Sequence, residues 1–462
     1  MLSMISYQWK HVLLLTLGSL VMFPALSPGL TLDEALREAL SQHLGLRAEE
    51  LRLQALQRDE FWSFQAFYPS LTAGLGEQRW NATKNHRALV GLTPQFSGSA
   101  LTALTPQIYE PEADSLGLRA EVQFTLGLGG FATMAGAKAA RAAGEASLAD
   151  QRATLIAGVK KAFASVLALD LARDLAVRQE EAARQRYQTV ESGRTQGTRT
   201  EADALQAKAV WSDRTIDRFQ AETRCVEARN TLELLMGHEP TGVLPLEGTI
   251  TPDVKGTAPD EPEPRGDWNA RGDLRALEAQ GWELDAQVLG ALALAVPQVV
   301  VGWSFDPGVN GWLTKNLADS GAWSQTNGAL SVQLQWKLDS FLPGSKFWTL
   351  GSDLDDFRAG LSALRQKAVR DARGEVAKIL RSIRDSLRIL PLRESEAADA
   401  RRAAQLSQAA FQAGVQRLVD VQDAEVQAQR AELGLIQERL QLVFAQADLE
   451  KALPTEEGHH VR

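Results

Sequence analysis

The sequence has little of what disulfide-bonded, metal-binding or catalytic proteins depend on. Cys225 is the single cysteine among 462 residues, which excludes an intramolecular disulfide framework and a cysteine-based zinc cluster. The six histidines lack paired-ligand spacing, and the sequence shows neither a nucleophile-and-base motif nor a phosphate-binding loop. We therefore predict no catalytic residue, no metal site and no cofactor, and an enzyme is the least expected class.

Excess positive charge is also missing. The chain has 49 lysines and arginines against 58 aspartates and glutamates, with a net charge of -9, so it offers no broad basic surface to nucleic acid. After the N-terminal region, no stretch of about 18 uncharged apolar residues could form a transmembrane helix. If the chain enters a membrane, it must do so through β-strands that form a barrel.

The N-terminus has the pattern of an export signal. Lys10 and His11 precede an apolar run over 12–23, which is followed by small residues. We predict a signal peptide over residues 1–27, with cleavage between Ala25 and Gly29. The mature protein is therefore expected outside the cytoplasm.

Two long stretches contain almost no proline. None lies between 111 and 240, and only Pro391 lies between 343 and 454. Both stretches are rich in strong helix formers and carry apolar residues at helical spacing. We predict helical hairpins over about 130–237 and about 346–453. Shorter helices broken at Gly144 and Gly158 are the alternative.

The two halves of the chain repeat each other. Residues 197–207 align with 414–424 at an offset of 217 (414 − 197). We therefore predict a first repeat over 28–240 and a second repeat over 271–454. A proline-rich acidic linker over 241–270 separates them, and 455–462 form a flexible tail.

Each helical stretch is preceded by two stretches in which apolar and polar residues alternate. The clearest alternation lies within 115–128 and 328–339, and weaker partners lie within about 69–80 and 297–306. These lengths suit transmembrane strands of about 9–11 residues. A soluble sheet with one wet face would show the same alternation.

Tryptophans concentrate around the second pair of predicted strands. An aromatic girdle at a membrane interface would place them there, whereas core tryptophans of a sandwich are the alternative. The candidate interface residues are Trp303, Trp312, Trp323 and Trp336.

Four strands cannot close a barrel, so several chains must contribute to one. Two copies would give eight strands and a filled interior, whereas three would give 12 and leave a lumen. Three copies would also supply six similar hairpins that could continue the barrel as a helical tube.

The order of these features resembles the TolC-like outer membrane efflux proteins over nearly the full mature length. Residues 30–40 resemble the family's opening helix, and residues 271–276 resemble the start of its second repeat. The resemblance implies a mainly α protein with transmembrane β-strands. The resemblance further implies that three copies form a homotrimer. Their strands would form a 12-stranded barrel in the outer membrane of a diderm bacterium, and their helices would continue it as a coiled-coil tunnel in the periplasm.

The resemblance also implies a function and partners. Such proteins are exit ducts of tripartite efflux or type I secretion systems. They dock a periplasmic adaptor, or membrane fusion protein, and an inner-membrane transporter of the RND, ABC or MFS type. Outer membrane lipid is a further expected partner. A periplasmic structural or adaptor-like coiled-coil protein of an envelope complex is the alternative function.

Two acidic residues are the candidate aperture of the channel. Asp420 and Asp423 resemble the family's paired aspartates at the periplasmic entrance, where three chains form carboxylate rings. Such rings in a constriction attract cations and repel anions. The alternative is that both residues stabilise the first turn of the last helix through its dipole.

The remaining candidates concern gating at the hairpin tips. Asp203 matches the acidic position of a latch that, in the family, pairs with an arginine on the second tip. Here Gln416 holds that arginine's position and Arg417 lies beside it, so Arg417 is the hypothetical substitute. Arg199 holds the equivalent place in the first tip. Gly197 and Gly414 are predicted to permit the tight turns.

Overall fold

The computed structural model describes residues 29–79, 88–97, 100–109, 114–250, 268–310, 315–323, 328–413 and 415–453. Several predicted features lie outside these described residues. They are the signal peptide, most of the linker, the tail, Gly414 and Trp312.

Helices dominate the chain. They are α1 (Leu32–Gln42), α2 (Leu44–Trp62), α3 (Leu128–Thr195), α4 (Glu201–Met236), α5 (Gly272–Ala295), α6 (Lys346–Gln412) and α7 (Leu418–Ala452). Helix α3 passes through Gly144 and Gly158 without interruption, so the alternative of shorter helices is wrong. Helix α6 continues through Pro391.

The strands are β1 (Ser70–Arg79), β2 (Ala88–Ser97), β3 (Ala100–Tyr109), β4 (Asp114–Leu126), β5 (Gln298–Phe305), β6 (Gly308–Asn310) and β7 (Ala329–Gln335). An antiparallel sheet has the order β1-β4-β5-β7, and the short β6 also pairs with β4. Strands β1, β4, β5 and β7 occupy the four stretches in which alternation predicts strands. The pairing of β4 with β5 joins the two repeats, and β1 and β7 form the edges.

The register places apolar residues together on one face of this sheet. Leu71, Val122, Trp303 and Leu330 stand opposite one another across all four strands. Leu71 is 75% exposed and Leu330 is 73% exposed. Residues on the other face, such as Glu121 opposite Ser304, are mostly polar. The sheet therefore presents an apolar face that this chain alone leaves uncovered.

Strands β2 and β3 form a separate two-stranded hairpin that sequence analysis did not predict. Pro94 stands opposite Leu104, and Pro106 stands opposite Leu92. Proline has no N–H, so it fits a strand only where that position points away from the partner strand. A two-stranded ribbon offers such positions along both outer edges.

The chain divides into two compact units. One contains described residues 29–47, 152–250, 374–413 and 415–453, and its fully buried side chains include Val166, Leu232 and Leu442. In the same unit Cys225 is buried, and burial raises the pKa of its thiol. The other unit takes the described residues between 48 and 151 and between 266 and 373, including the sheet.

Candidate functional site

The candidate site comprises the turns that end the two helical hairpins, the first tip (residues 193–203) and the second tip (residues 410–423). In the first tip, the N–H groups of Thr198 and Arg199 donate to the Gly193 carbonyl at 2.8 and 3.2 Å. Gly197 has a φ of +71°, a conformation that side chains rarely adopt. The sharp turn therefore requires a glycine at position 197.

Helix α4 begins with a reciprocal cap. The backbone N–H of Asp203 donates to Thr200 Oγ1 at 3.2 Å, and the Thr200 N–H and hydroxyl donate to Asp203 Oδ2 at 3.1 and 2.8 Å. The bond from the Thr200 hydroxyl, followed by that from its backbone, lowers the pKa of Asp203. The carboxylate of Asp203 is thus committed to its own helix.

Helix α7 begins in a related but weaker way. Asp420 accepts a hydrogen bond from the Arg417 backbone N–H at 3.2 Å. Asp203 and Asp420 are each the third residue of their helix and differ by the repeat offset of 217 (420 − 203). Arg417 replaces the threonine, so the second tip lacks a hydroxyl that could complete the cap.

Both candidate aperture residues lie on the surface. Asp420 and Asp423 are exposed, and their spacing of three residues makes them neighbours on one side of α7. Among the described residues, the Asp423 carboxylate has no hydrogen-bond or ion-pair partner. Two carboxylates therefore face solvent in the first turns of α7, and one of them also caps the helix.

The gating candidates do not form the predicted latch within one chain. No ion pair joins Asp203 to Arg417, and the Arg417 side chain has no carboxylate partner in the described part of the chain. Arg199 instead lies over the ring of Phe411, with 5.0 Å between the guanidinium carbon and the ring centroid. This cation–π contact connects the first tip to the end of α6.

Polar contacts also join the two hairpins behind their tips, and sequence reasoning did not find them. Arg186 of α3 forms an ion pair with Glu425 of α7, and the Arg186 side chain is only 9% exposed. Gln206 Nε2 donates to Gln422 Oε1 at 3.4 Å. Arg214 of α4 donates to Gln429 Oε1 of α7 at 2.8 Å. These partners are more than 200 residues apart, so no local sequence pattern signals them.

The aromatic candidates lie around the sheet. Trp303 is in β5 and stacks on Phe305, with 6.2 Å between ring centroids. Trp336 Nε1 donates to the Ala295 carbonyl at 2.9 Å, and Trp323 Nε1 donates to the Leu317 carbonyl at 3.0 Å. Trp303 and Trp336 are well exposed. Their place at a membrane interface stays a prediction.

Two further classes of site were sought in the described ranges. No helix there is long and apolar enough to cross a membrane. No group of three or more histidine, cysteine, aspartate or glutamate side chains in those ranges is arranged to hold a metal ion.

Residues 35–238 and 269–455 match the model of the outer membrane efflux protein family, one segment for each half of the chain. The chain belongs to the outer membrane efflux protein family. This membership confirms the predicted resemblance, the outer membrane location and the function as an outer membrane exit duct of efflux systems. Solved structures with a similar fold include outer membrane channels, the class that sequence analysis favoured over an enzyme.

Proteins of similar sequence or fold match this chain along most of its length. The pyoverdine export outer membrane protein OpmQ of Pseudomonas aeruginosa is 26% identical over 430 residues, covering 91% of this chain and 84% of OpmQ. The outer membrane protein VceC of Vibrio cholerae is 17% identical with a TM-score of 0.71, covering 92% of this chain and 96% of VceC. The Campylobacter jejuni CmeC channel is 12% identical with a TM-score of 0.72, covering 95% of this chain and 92% of CmeC. The two structures confirm the predicted fold class.

Proposed function

We propose that three copies of this chain close their sheets into one 12-stranded barrel in the outer membrane. The observation that supports this proposal most strongly is the sheet, because β1 and β7 are its edge strands and one of its faces is apolar and exposed. Unpaired strand edges are not tolerated in lipid, so each β7 pairs with β1 of the next copy. Twelve strands leave room for an aqueous lumen, which suits a duct.

The second tips form the selective entrance of this duct. In a trimer, Asp420 and Asp423 supply two rings of three carboxylates at a narrow opening. Charges at such short range attract cations and repel anions. The support is that both carboxylates are exposed and that Asp423 has no partner among the described residues.

Contacts within and between chains keep the resting entrance closed. Within one chain, Arg199 on Phe411 and Arg186 with Glu425 hold the two hairpins together. The exposed side chain of Arg417 is available for an acceptor on a neighbouring copy. Opening requires these contacts to break, which a docked partner must drive.

The duct works with a periplasmic adaptor and an inner-membrane transporter of the RND, ABC or MFS type. The name of OpmQ assigns pyoverdine export to that relative. That name supports small-molecule efflux, and not protein secretion, as the function of this chain.

The test is ion conductance of the purified full-length trimer in planar bilayers. We expect small, cation-selective currents in the wild type. The double variant Asp420→Ala/Asp423→Ala should lose most of the cation selectivity. The matched control is Asp213→Ala/Glu227→Ala, because these exposed acidic residues lie on α4 and the control removes the same charge.

Unchanged selectivity in the tip variant, with trimers intact, would place the aperture elsewhere. Absence of conductance from inserted trimers would contradict the proposed cation-selective entrance.

A further inference from the structure

The hairpin of β2 and β3, which we call the ribbon, repeats its own sequence. Residues 92–95 of β2 and residues 104–107 of β3 are both Leu-Thr-Pro-Gln, at an offset of 12 (104 − 92). The segment 88–109 contains no charged residue, although it would hold about five at the chain's average of 23%. Neither strand of the ribbon pairs with any other described strand. The ribbon is thus a separate, uncharged element whose two strands carry the same motif.

The register sorts the repeated residues onto two faces. Two pairs combine a leucine with a proline, and the pair between them combines two threonines. These pairs are Leu92 with Pro106, Pro94 with Leu104, and Thr93 with Thr105. Successive residues of a strand alternate between faces, so the leucines and prolines share one face, which we call the apolar ribbon face. Pro94 on this face and Thr105 on the other are both exposed, so the chain alone covers neither face there.

The prolines prevent the ribbon from growing into a larger sheet. Each strand has one proline, and its missing N–H belongs to an outer edge of the ribbon, because the inner positions are needed for pairing. A further strand at either edge would find no donor at that position and would lose a ladder hydrogen bond. A two-stranded hairpin is marginally stable at best in water and needs additional packing. That packing must therefore come through a face of the ribbon and not through an edge.

The register of the main sheet shows where the ribbon is attached. Arg79 pairs with Asp114, and the ribbon lies between these two residues in the sequence. At the other end of the same strands, Ser70 pairs with Gln123, close to the start of α3. The ribbon is thus attached at the end of the sheet opposite the helices. In the proposed duct the helices are periplasmic, so this end is the outer opening of the barrel.

The dimensions of the barrel bring three copies of the ribbon to one opening. Twelve strands about 4.8 Å apart and tilted by about 40° form a ring with a radius of about 12 Å. Each strand of the ribbon has 10 residues and is about 33 Å long. The link over 110–113 joins β3 to β4 and spans at most about 17 Å. Each ribbon is therefore held within reach of the barrel axis and of the other two copies.

The absence of charge identifies what covers the apolar ribbon face. Lipid headgroups carry charged phosphates, which basic residues would match, and the ribbon has none. Two copies of the apolar ribbon face match each other, and a shared barrel keeps them at a high local concentration. We infer that the apolar ribbon faces of the three copies pack against one another over the outer opening of the duct. This inference rests on the proposed function, since it requires three copies in one barrel.

Cysteine cross-linking tests this contact in trimers reconstituted one per lipid nanodisc. Leu104→Cys places a thiol on the apolar ribbon face, and the matched control Thr105→Cys places one on the other face. With a short bismaleimide, the fraction of labelled copies that become joined should be at least about tenfold larger in Leu104→Cys. Cys225 is buried, so the wild-type protein serves as the blank. Equal fractions, or no cross-linking of Leu104→Cys, would overturn the inference.

A polar substitution on the same face should separate the copies. In the Leu104→Cys background, Leu92→Asn should lower cross-linking at least about fivefold, because it places an amide in an apolar contact. Thr93→Asn makes a change on the other face and should leave cross-linking unchanged. Equal losses in both variants would show that the contact does not depend on the apolar ribbon face. Trimer formation and conductance check the folding of every variant.

Acyl chains of the membrane are the other apolar surface within reach of the ribbon. A fluorophore on the thiol of Leu104→Cys, in one copy per trimer, distinguishes lipid from the other copies. Brominated acyl chains should quench it no more than they quench the same fluorophore on Thr105→Cys. Stronger quenching at position 104 would place the apolar ribbon face on lipid and would overturn the inference.

The same preparations separate this inference from the proposed function. Intact trimers with cation-selective currents, but without face-specific cross-linking, would overturn only the contact between ribbons. Monomers in these preparations would instead contradict the 12-stranded barrel and, with it, the contact between ribbons.

Discussion

The two tips occupy equivalent positions in the two repeats, yet they are built differently. The first tip has a reciprocal cap between Thr200 and Asp203. The second tip has Arg417 in place of the threonine, and the Asp420 carboxylate accepts a hydrogen bond from the Arg417 backbone N–H. One repeat thus uses its aspartate for local stability, while the other leaves two carboxylates in solvent.

This difference suggests that the two tips have different roles in the same protein. A helix start with fewer local bonds opens more easily, because local stability follows the bonds that opening must break. We therefore expect α7 to begin with a more mobile first turn than α4. The weaker cap lies in the tip that carries the candidate aperture.

The largest effect is expected at the turn of the first tip. Gly197→Ala places a side chain at a φ of +71°, which should destabilise the turn by about 1–2 kcal/mol. Gly360→Ala is the control, because Gly360 is helical with open space around it, and there alanine should stabilise by up to about 1 kcal/mol. Hydrogen exchange at the amides of Thr198 and Arg199 measures the first change. Unaltered exchange would mean that the turn does not depend on glycine.

Exchanging the capping residues should reduce the difference in stability between the first turns of α4 and α7. Thr200→Ala should cost the start of α4 about 1 kcal/mol, and Arg417→Thr should stabilise the start of α7 by a similar or smaller amount. Hydrogen exchange in the first turns of α4 and α7 reports both changes. If Arg417→Thr leaves α7 as mobile as before, the missing hydroxyl does not explain the contrast.

The arginines of the two tips should affect the closed state differently. Removing the contact with Phe411 by Arg199→Ala should destabilise the closed state by about 0.5–1 kcal/mol relative to the open state. This is equivalent to a rise in resting conductance of roughly 2–5-fold. Arg417→Ala should also raise resting conductance, but it should leave the contact between Arg199 and Phe411 in place. Phe411→Leu is the control for the first variant and should reproduce its effect. A closed pore in Arg417→Ala would refute the proposed contact between copies.

The smallest expected effect is a pH dependence of the stability of the first tip. Hydrogen bonds from Thr200 lower the pKa of Asp203 below the value of 3.8 for a free side chain. Its stabilising contribution is therefore fully present above that value and is lost as the pH falls through the lower folded value. The protection of the amides at the start of α4 against hydrogen exchange, corrected for the intrinsic pH dependence of exchange, should fall over that acidic range. In Asp203→Asn this fall in protection should disappear, and its persistence would assign it to another group.

Patterns with a fixed period were readable from the sequence. Alternation identified β1, β4, β5 and β7, because one face of each strand is apolar and the other mostly polar. The scarcity of proline and the helical spacing of apolar residues identified the hairpins. These signals are local, so they do not depend on what the rest of the chain does.

The missed features have definite physical reasons. Pro94 and Pro106 argue against strands, but in a two-stranded ribbon their missing N–H groups can point outward. The cap between Thr200 and Asp203 had a local signal, a threonine followed three residues later by an acid. Arg186 and Glu425 are 239 residues apart and meet only because the two hairpins pack together.

The burial of Cys225 makes the protein convenient for labelling. The thiolate is the form of cysteine that attacks thiol reagents, and the raised pKa of Cys225 suppresses this form while burial limits access to it. A cysteine introduced at an exposed tip position would therefore react selectively in the folded protein without removal of the native one. Spin or fluorescent labels placed in this way on each tip would report distances between copies while the entrance opens.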